Sequence, residues 1–190
     1  MPDKKFDPAD KEHLDSPGRA KYLDTESILE QLKVVRGMKV ADIGAGTGVF
    51  VIPLSELVWR TGEVYACDIS QEMLDSIKGK LYGINNVELV LTAEDKVPLP
   101  DGAIDLALMV NVLHELDGDG TLKEALRILR PGGRLAIADW KKRPMFEGPP
   151  FWYRISEDAA ADRITNLGFE FNDWFEPGPY HYGLIFSKKK

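Results

Sequence analysis

The sequence predicts one α/β domain, a mostly parallel sheet with helices on both faces. Three observations predict it. Apolar runs of strand length alternate with segments of helical period along most of the chain. A glycine cluster, Gly44, Gly46 and Gly48, stands between the first apolar run and the helix that follows it. The last two apolar runs, "FEFNDWF" and "YGLIFSK", are joined only by "EPGPYH". That junction leaves no room for a helix, so the final strand must return antiparallel as a hairpin.

Each element follows from its residues. The first 24 residues are charged and punctuated by Pro2, Pro8 and Pro17, and read as an arm or lid ahead of a domain spanning 25–190. Ile28, Leu29 and Leu32 recur at helical spacing between Thr25 and Lys33, with Thr25 as the expected N-cap and Gly37 closing the unit. Val40 to Ile43 is the first strand, and Phe50 to Trp59 the first crossover helix. "EVYACDI" from Glu63 is the second strand, and Ser70 caps a helix running to about Leu81. "NVELVL" from Asn86 and "AIDLALMV" from Ala103 are the third and fourth strands. A helix from about Thr121 to Leu129 leads through the tight turn Pro131-Gly132-Gly133 into the fifth. Ser156 to Leu167 is the last helix, with Gly168 as its stop.

Bulk properties narrow the function classes. A chain of 190 residues, 44% hydrophobic and 29% charged, can bury one sizeable core. The net charge of −7 makes nucleic acid and anionic membranes poor default partners. No apolar run approaches the roughly 18 residues of a membrane span, so stable insertion is not expected. The N-terminus lacks an apolar signal core, and a cytoplasmic location is the expectation. The single cysteine, Cys67, allows neither an internal disulfide nor a cysteine metal cluster, and no metal is expected.

The stretch "VADIGAGTGVF" carries the ligand argument. Glycines at a strand-to-helix turn let backbone pass close to a ligand, and ligands of such sheets sit at the carboxyl ends of the strands. In the dinucleotide fingerprint the third glycine stands three residues after the second; here that position is Val49. Asp42 ends a buried strand, which is costly unless a cationic or donating group meets it. The ammonium of S-adenosylmethionine (SAM) would do so. Asp68 ends the second strand, 20 residues past Gly48, where a carboxylate can accept both ribose hydroxyls. The plainer alternative is a tight turn, with Asp68 capping the helix that begins near Ser70.

At these residues the sequence resembles the class I SAM-dependent methyltransferases, and in wording their small UbiE/menaquinone-type subgroup. "VADIGAGTGVF" looks like the first motif and "VYACDISQEML" the second. "VPLPDGAIDLALMVNVLHEL" and "LRILRPGGRLAIADW" look like the fourth- and fifth-strand regions. The resemblance implies a Rossmann-like, doubly wound seven-stranded sheet of order 3-2-1-4-5-7-6, with strand 7 antiparallel. It implies SAM as cofactor, S-adenosylhomocysteine as product and a small-molecule acceptor. It carries cofactor contacts onto Asp42, Gly44, Ala45, Gly46, Thr47, Gly48, Asp68, Ile69, Met73 and Asn111. The subgroup usually reads the adenine amine with Asp or Asn after the third strand. Here Ala93 stands at that place, followed by Glu94, so the backbone at Ala93 and Glu94 is expected to serve, with the Glu94 side chain assisting. A SAM-binding sensor or partner module without turnover is the first alternative and an NAD-dependent reductase the second; the sequence does not choose between monomer and homodimer.

Acceptor chemistry is narrowed by exclusion. "NVLHEL" is not the Asp/Asn-Pro-Pro-aromatic sequence of amino-methylating DNA enzymes. One cysteine inside a strand suits neither pyrimidine C5 nor arsenite methylation, and Glu115 alone does not make the paired-glutamate loop of protein-arginine enzymes. His114, following strand four, is a candidate catalytic group or a packing residue. His181, between Tyr180 and Tyr182, is a second candidate or part of an aromatic hairpin; His13 reads as solvated. Phe151, Trp152 and Tyr153 either wall an acceptor or pack the following helix. Tyr22, Trp152 and Tyr180 are the expected substrate contacts, with Tyr22 or Arg19 near the methionine end of SAM. Lys141, Lys142 and Arg143 read as a solvated loop.

Overall fold

The computed structural model describes residues 5–7, 9, 11, 14–16, 18 and 22–189. The seven apolar runs form the strands β1 (Lys39–Ile43), β2 (Glu63–Asp68), β3 (Val87–Leu91), β4 (Ile104–Val110), β5 (Leu129–Trp140), β6 (Phe169–Phe175) and β7 (His181–Lys188). They make one sheet of order β3-β2-β1-β4-β5-β7-β6. The pairs among β1 to β5 are parallel, and β7 is antiparallel to both β5 and β6. Fold class and the returning last strand are those the sequence predicts, and the strand order is the one the family resemblance implies.

The helices are α1 (Thr25–Gln31), α2 (Val51–Val58), α3 (Gln71–Lys78), α4 (Gly120–Ile128) and α5 (Glu157–Asn166). Their apolar stripes sort them by face. Ile28, Leu54 and Ile77, from α1, α2 and α3, join Val40, Val64 and Leu108 on one side of the sheet. Leu122 and Ala125 of α4 and Ile164 of α5 join Ala107, Ile137 and Leu184 on the other. Strand residues alternate between the two layers because successive side chains point to opposite faces.

Local physics moves several expected boundaries. Asp24, not Thr25, caps α1: its backbone is extended and its carboxylate accepts the Ser27 amide at 3.1 Å. The first crossover helix stops at Val58 because Trp59 is left-handed (φ 60°), and α3 stops at Lys78. β5 begins at Leu129, before the Pro-Gly-Gly turn. The turn sits inside the strand as a bulge, so its register on β4 jumps from Ile104–Leu129 to Leu106–Arg134. A single 3-10 turn, Leu113–Glu115, follows β4. The order of the sheet reverses between β1 and β4, and the crevice outside their carboxyl ends holds the candidate site.

Candidate active site

A cavity of about 810 Å³ opens at that reversal. The glycine turn forms its floor. Gly44 and Ala45 amides donate to the Cys67 carbonyl at 2.8 and 3.0 Å, tying the turn to the end of β2. Gly44, Gly46 and Gly48 all have positive φ, which side chains resist. A Cβ on Gly44 would collide with Val112, and one on Gly46 would reach within 3.3 Å of Leu14.

Asp68 fastens the turn to α3. One carboxylate oxygen accepts the Gly46 amide at 2.8 Å and the other accepts the Ser70 amide at 2.8 Å. Burial pushes the carboxyl upward in pKa, and these backbone donors oppose the shift. Ser70, not Asp68, is the helix cap, accepting from Met73. Asp42, 2% exposed at the end of β1, shares the cavity wall. Asn111 completes this side. It is left-handed (φ 61°), and its side-chain oxygen is buried at the cavity with no hydrogen-bond partner among the described residues. Such a conformation persists only where its surroundings impose it, and a buried orphan acceptor waits for a donor.

The expected site residues divide clearly. Asp42, Gly44, Ala45, Gly46, Thr47, Asp68, Ile69, Met73, Ala93, Glu94, Asn111, His114 and Tyr22 all line the cavity. Gly48, His181, Trp152 and Tyr180 do not. Gly48 turns toward Ile77 of α3. His181 is fully buried against Trp140, ring centroids 4.1 Å apart, with Trp140 and Tyr22 forming the cavity side of that cluster. Trp152 points to solvent at 71% exposure, and its neighbour Tyr153 takes the wall position. Ala93 spends its amide and carbonyl on a small turn with Lys96. Glu94 accepts from Lys5 at 2.8 Å and from the Asp117 amide at 3.2 Å, and Lys5 holds its carboxyl below the usual range. Arg19 and His13 lie outside the described residues.

His114 has a partner that sequence reading missed. Its Nδ1 lies 2.8 Å from an Asp139 carboxylate oxygen, and its backbone amide donates to the other at 3.1 Å. The Trp140 amide also donates to Asp139, at 2.7 Å. Two backbone N–H groups donating to this carboxylate suit its acceptor-only form, so the contact with His114 assigns the ring proton to Nδ1 and leaves Nε2 as the basic nitrogen. Glu115 lies 3.8 Å from Nε2 and its pKa is pushed up to about 7 by burial. A signal for Asp139 existed: "LAIAD" ends a buried run in a carboxylate, as "VAD" does at Asp42. Among the described residues no cluster of His, Cys, Asp and Glu is arranged to hold a metal ion.

The comparisons with known proteins agree on what this arrangement belongs to. The family described as "Methyltransferase domain" matches residues 41–137, from within β1 into β5. A crystal structure of a SAM dependent methyltransferase from Aquifex aeolicus superimposes with a TM-score of 0.91 at 35% identity, covering 96% of this chain and 99% of that one. The chain belongs to the class I SAM-dependent methyltransferase family. The ubiquinone/menaquinone biosynthesis C-methyltransferase UbiE of Escherichia coli is 36% identical over 138 residues, 70% of this chain and 55% of that protein. This methyltransferase thus spans about half the length of the curated relatives it matches. The [4+2]-cyclase SpnF shares the fold alone, with a TM-score of 0.74 at 19% identity. In this methyltransferase, no helix among the described residues is long and apolar enough to cross a membrane.

Proposed function

We propose that this chain methylates a small-molecule acceptor whose nucleophilic atom must lose a proton, and that His114 takes it. The observation that carries the reading is His114, buried at the cavity wall beyond the end of β4 and backed by the Asp139 carboxylate of β5. The residues also fit the cofactor: the orphan oxygen of Asn111 and the carboxylates of Asp42 and Asp68 suit an ammonium group and ribose hydroxyls. SAM, when bound, supplies an electrophilic methyl group on a sulfonium that is its own leaving group.

The protein's tasks are then to position, exclude water and move one proton. Asp139 holds the His114 ring by Nδ1 and favours its cationic form once Nε2 has gained a proton. Trp140, Tyr153, Val112 and Leu116 give the cavity apolar walls, which suit an aromatic or otherwise lipophilic acceptor. The printed name of the UbiE relative, a C-methyltransferase of quinone biosynthesis, supports an acceptor of that kind.

The test is turnover of SAM to S-adenosylhomocysteine with a panel of phenols, hydroquinones and other weakly acidic acceptors. On the best acceptor, His114→Gln is expected to lower kcat by about 10²–10⁴-fold and to abolish the acidic limb of the pH–rate profile. SAM affinity should stay near wild type. Near-normal turnover in the Gln variant removes His114 as the base. SAM binding without turnover on any acceptor favours a sensor.

A further inference from the structure

The loop between β5 and α5 has two sides, and the methyltransferase reading uses only one. Gly148, Pro149, Pro150 and Tyr153 wall the cavity. The other side presents bare aromatic rings to water: Phe146 is 108% exposed, Trp152 71% and Phe151 48%. Beside them stand Lys141, Lys142 and Arg143, with the Lys142 ammonium 5.7 Å from the Phe151 ring.

The exposure is built in. Arg154 is 3% exposed and donates to three loop carbonyls, those of Pro149 at 2.7 Å, Arg143 at 2.9 Å and Glu147 at 2.6 Å. Arg143 reaches across to the Pro179 carbonyl at 2.6 Å. Gly148 lies flat on Trp140, where a Cβ would come within 2.6 Å of the indole. A loop fastened at this many points fixes where its rings point. Holding Phe146 and Trp152 in water opposes the hydrophobic effect, so their orientation calls for a partner.

Charge selects the partner. The chain carries −7 overall, yet this loop gathers basic residues around its rings, with Glu147 its one acidic residue. Aromatic rings interleaved with Lys and Arg match the interface of an anionic bilayer, where rings enter the headgroup region and cations meet lipid phosphates. The acidic remainder of the molecule would be repelled from the same surface, which orients the protein loop-first. We propose that residues 141–152 dock this protein peripherally on anionic lipid bilayers, setting the cavity wall beside the membrane. Docking does not depend on the His114 reading; a lipophilic acceptor would simply have the shorter path.

Vesicle co-sedimentation tests this. The probes are neutral phosphatidylcholine vesicles and vesicles with one part phosphatidylglycerol to two parts phosphatidylcholine. The wild-type chain is expected to bind the anionic vesicles at least about tenfold more tightly, less so as salt rises, and to show a blue shift of tryptophan emission that Trp152→Ser removes. The double variant Phe146→Ser/Trp152→Ser and, separately, Lys141→Glu/Lys142→Glu should each lose most of the binding while melting like wild type. Three results overturn the proposal. One is failure of the wild type to bind either vesicle. Another is full binding by the aromatic double variant, which would mean plain charge adsorption. The third is self-association that the aromatic variant abolishes without any vesicle binding, which would make the face an interface between copies.

Discussion

Asp68 does two jobs with one carboxylate. It accepts the amides of Gly46 and Ser70, so it holds the glycine turn against α3, and it also faces the cavity. Removing it should therefore cost both binding and local order. Asp68→Ala is expected to weaken SAM binding by roughly 2–4 kcal/mol through loss of a charge-assisted acceptor. Asp68→Asn retains one acceptor oxygen and the side-chain shape, so its melting temperature should lie nearer wild type while its affinity stays low. Calorimetric titration and thermal melts of both variants separate the two roles, and a folded Ala variant with unchanged affinity would remove Asp68 from the site. Gly46→Val should abolish SAM binding in a titration, since the position has φ 54° and its side chain would enter the space beneath Leu14.

At the scale of elements, the N-terminal arm and the β6–β7 connection act together. Asp24 donates its amide to the Pro177 carbonyl at 3.4 Å, Leu23 is 2% exposed, and a Cβ on Gly178 would strike the Tyr22 carbonyl. Leu23 thus packs in the core, although the sequence reading assigns it to the arm. Farther out, Lys5 pairs with Glu94, Lys11 with Glu72, and Asp15 with Lys80, while Thr47 donates to Asp15 at 2.7 Å. Phe6 and Leu14 meanwhile line the cavity. Partly exposed ion pairs of this kind are worth about 0–1 kcal/mol each, which suits a cover that opens. We expect the arm to open and close over the cofactor. Hydrogen exchange at residues 5–7, 9, 11, 14–16 and 18 should slow when SAM is added, and Lys80→Ala should raise exchange there with a stability loss below about 1 kcal/mol. Equal protection with and without SAM would show a fixed strap.

For the whole molecule, Glu115 links stability to pH. Burial pushes its carboxyl up to about 7 in the folded chain, from an ordinary value of 4.5. Between those values the folded state binds more protons than the unfolded state, so this group's contribution is complete below pH 4.5 and is lost as pH rises through 7. The full effect is on the order of 3 kcal/mol. Glu115→Gln should therefore gain stability relative to wild type between pH 5 and pH 8, as read by denaturant unfolding at both values. Parallel behaviour of the two proteins would mean that the Glu115 carboxylate is well solvated.

The sequence by itself determined the sheet, its two helical layers and the place of the crevice. Those features rest on apolar period, glycine position and short connections, all properties of neighbouring residues. The returning β7 was legible for the same reason, since "EPGPYH" is too short for anything but a hairpin. The cap of α1 and the start of β5 each differ from the sequence expectation, because a cap depends on one hydrogen bond and a bulge on one register step. Only the tertiary structure decided the rest. His114 meets Asp139 because β5 lies beside β4, and nothing within either segment announces that pairing. Tyr153 faces the cavity and Trp152 faces water because Arg154 draws three carbonyls of its own loop together and Gly148 lies on Trp140, and His181 is turned from the cavity by Trp140. Side-chain direction in a loop is set by whatever fastens the loop, and here that is a buried arginine bonding back to its own loop together with anchors on Trp140 and Pro179, a geometry that no run of neighbouring residues displays.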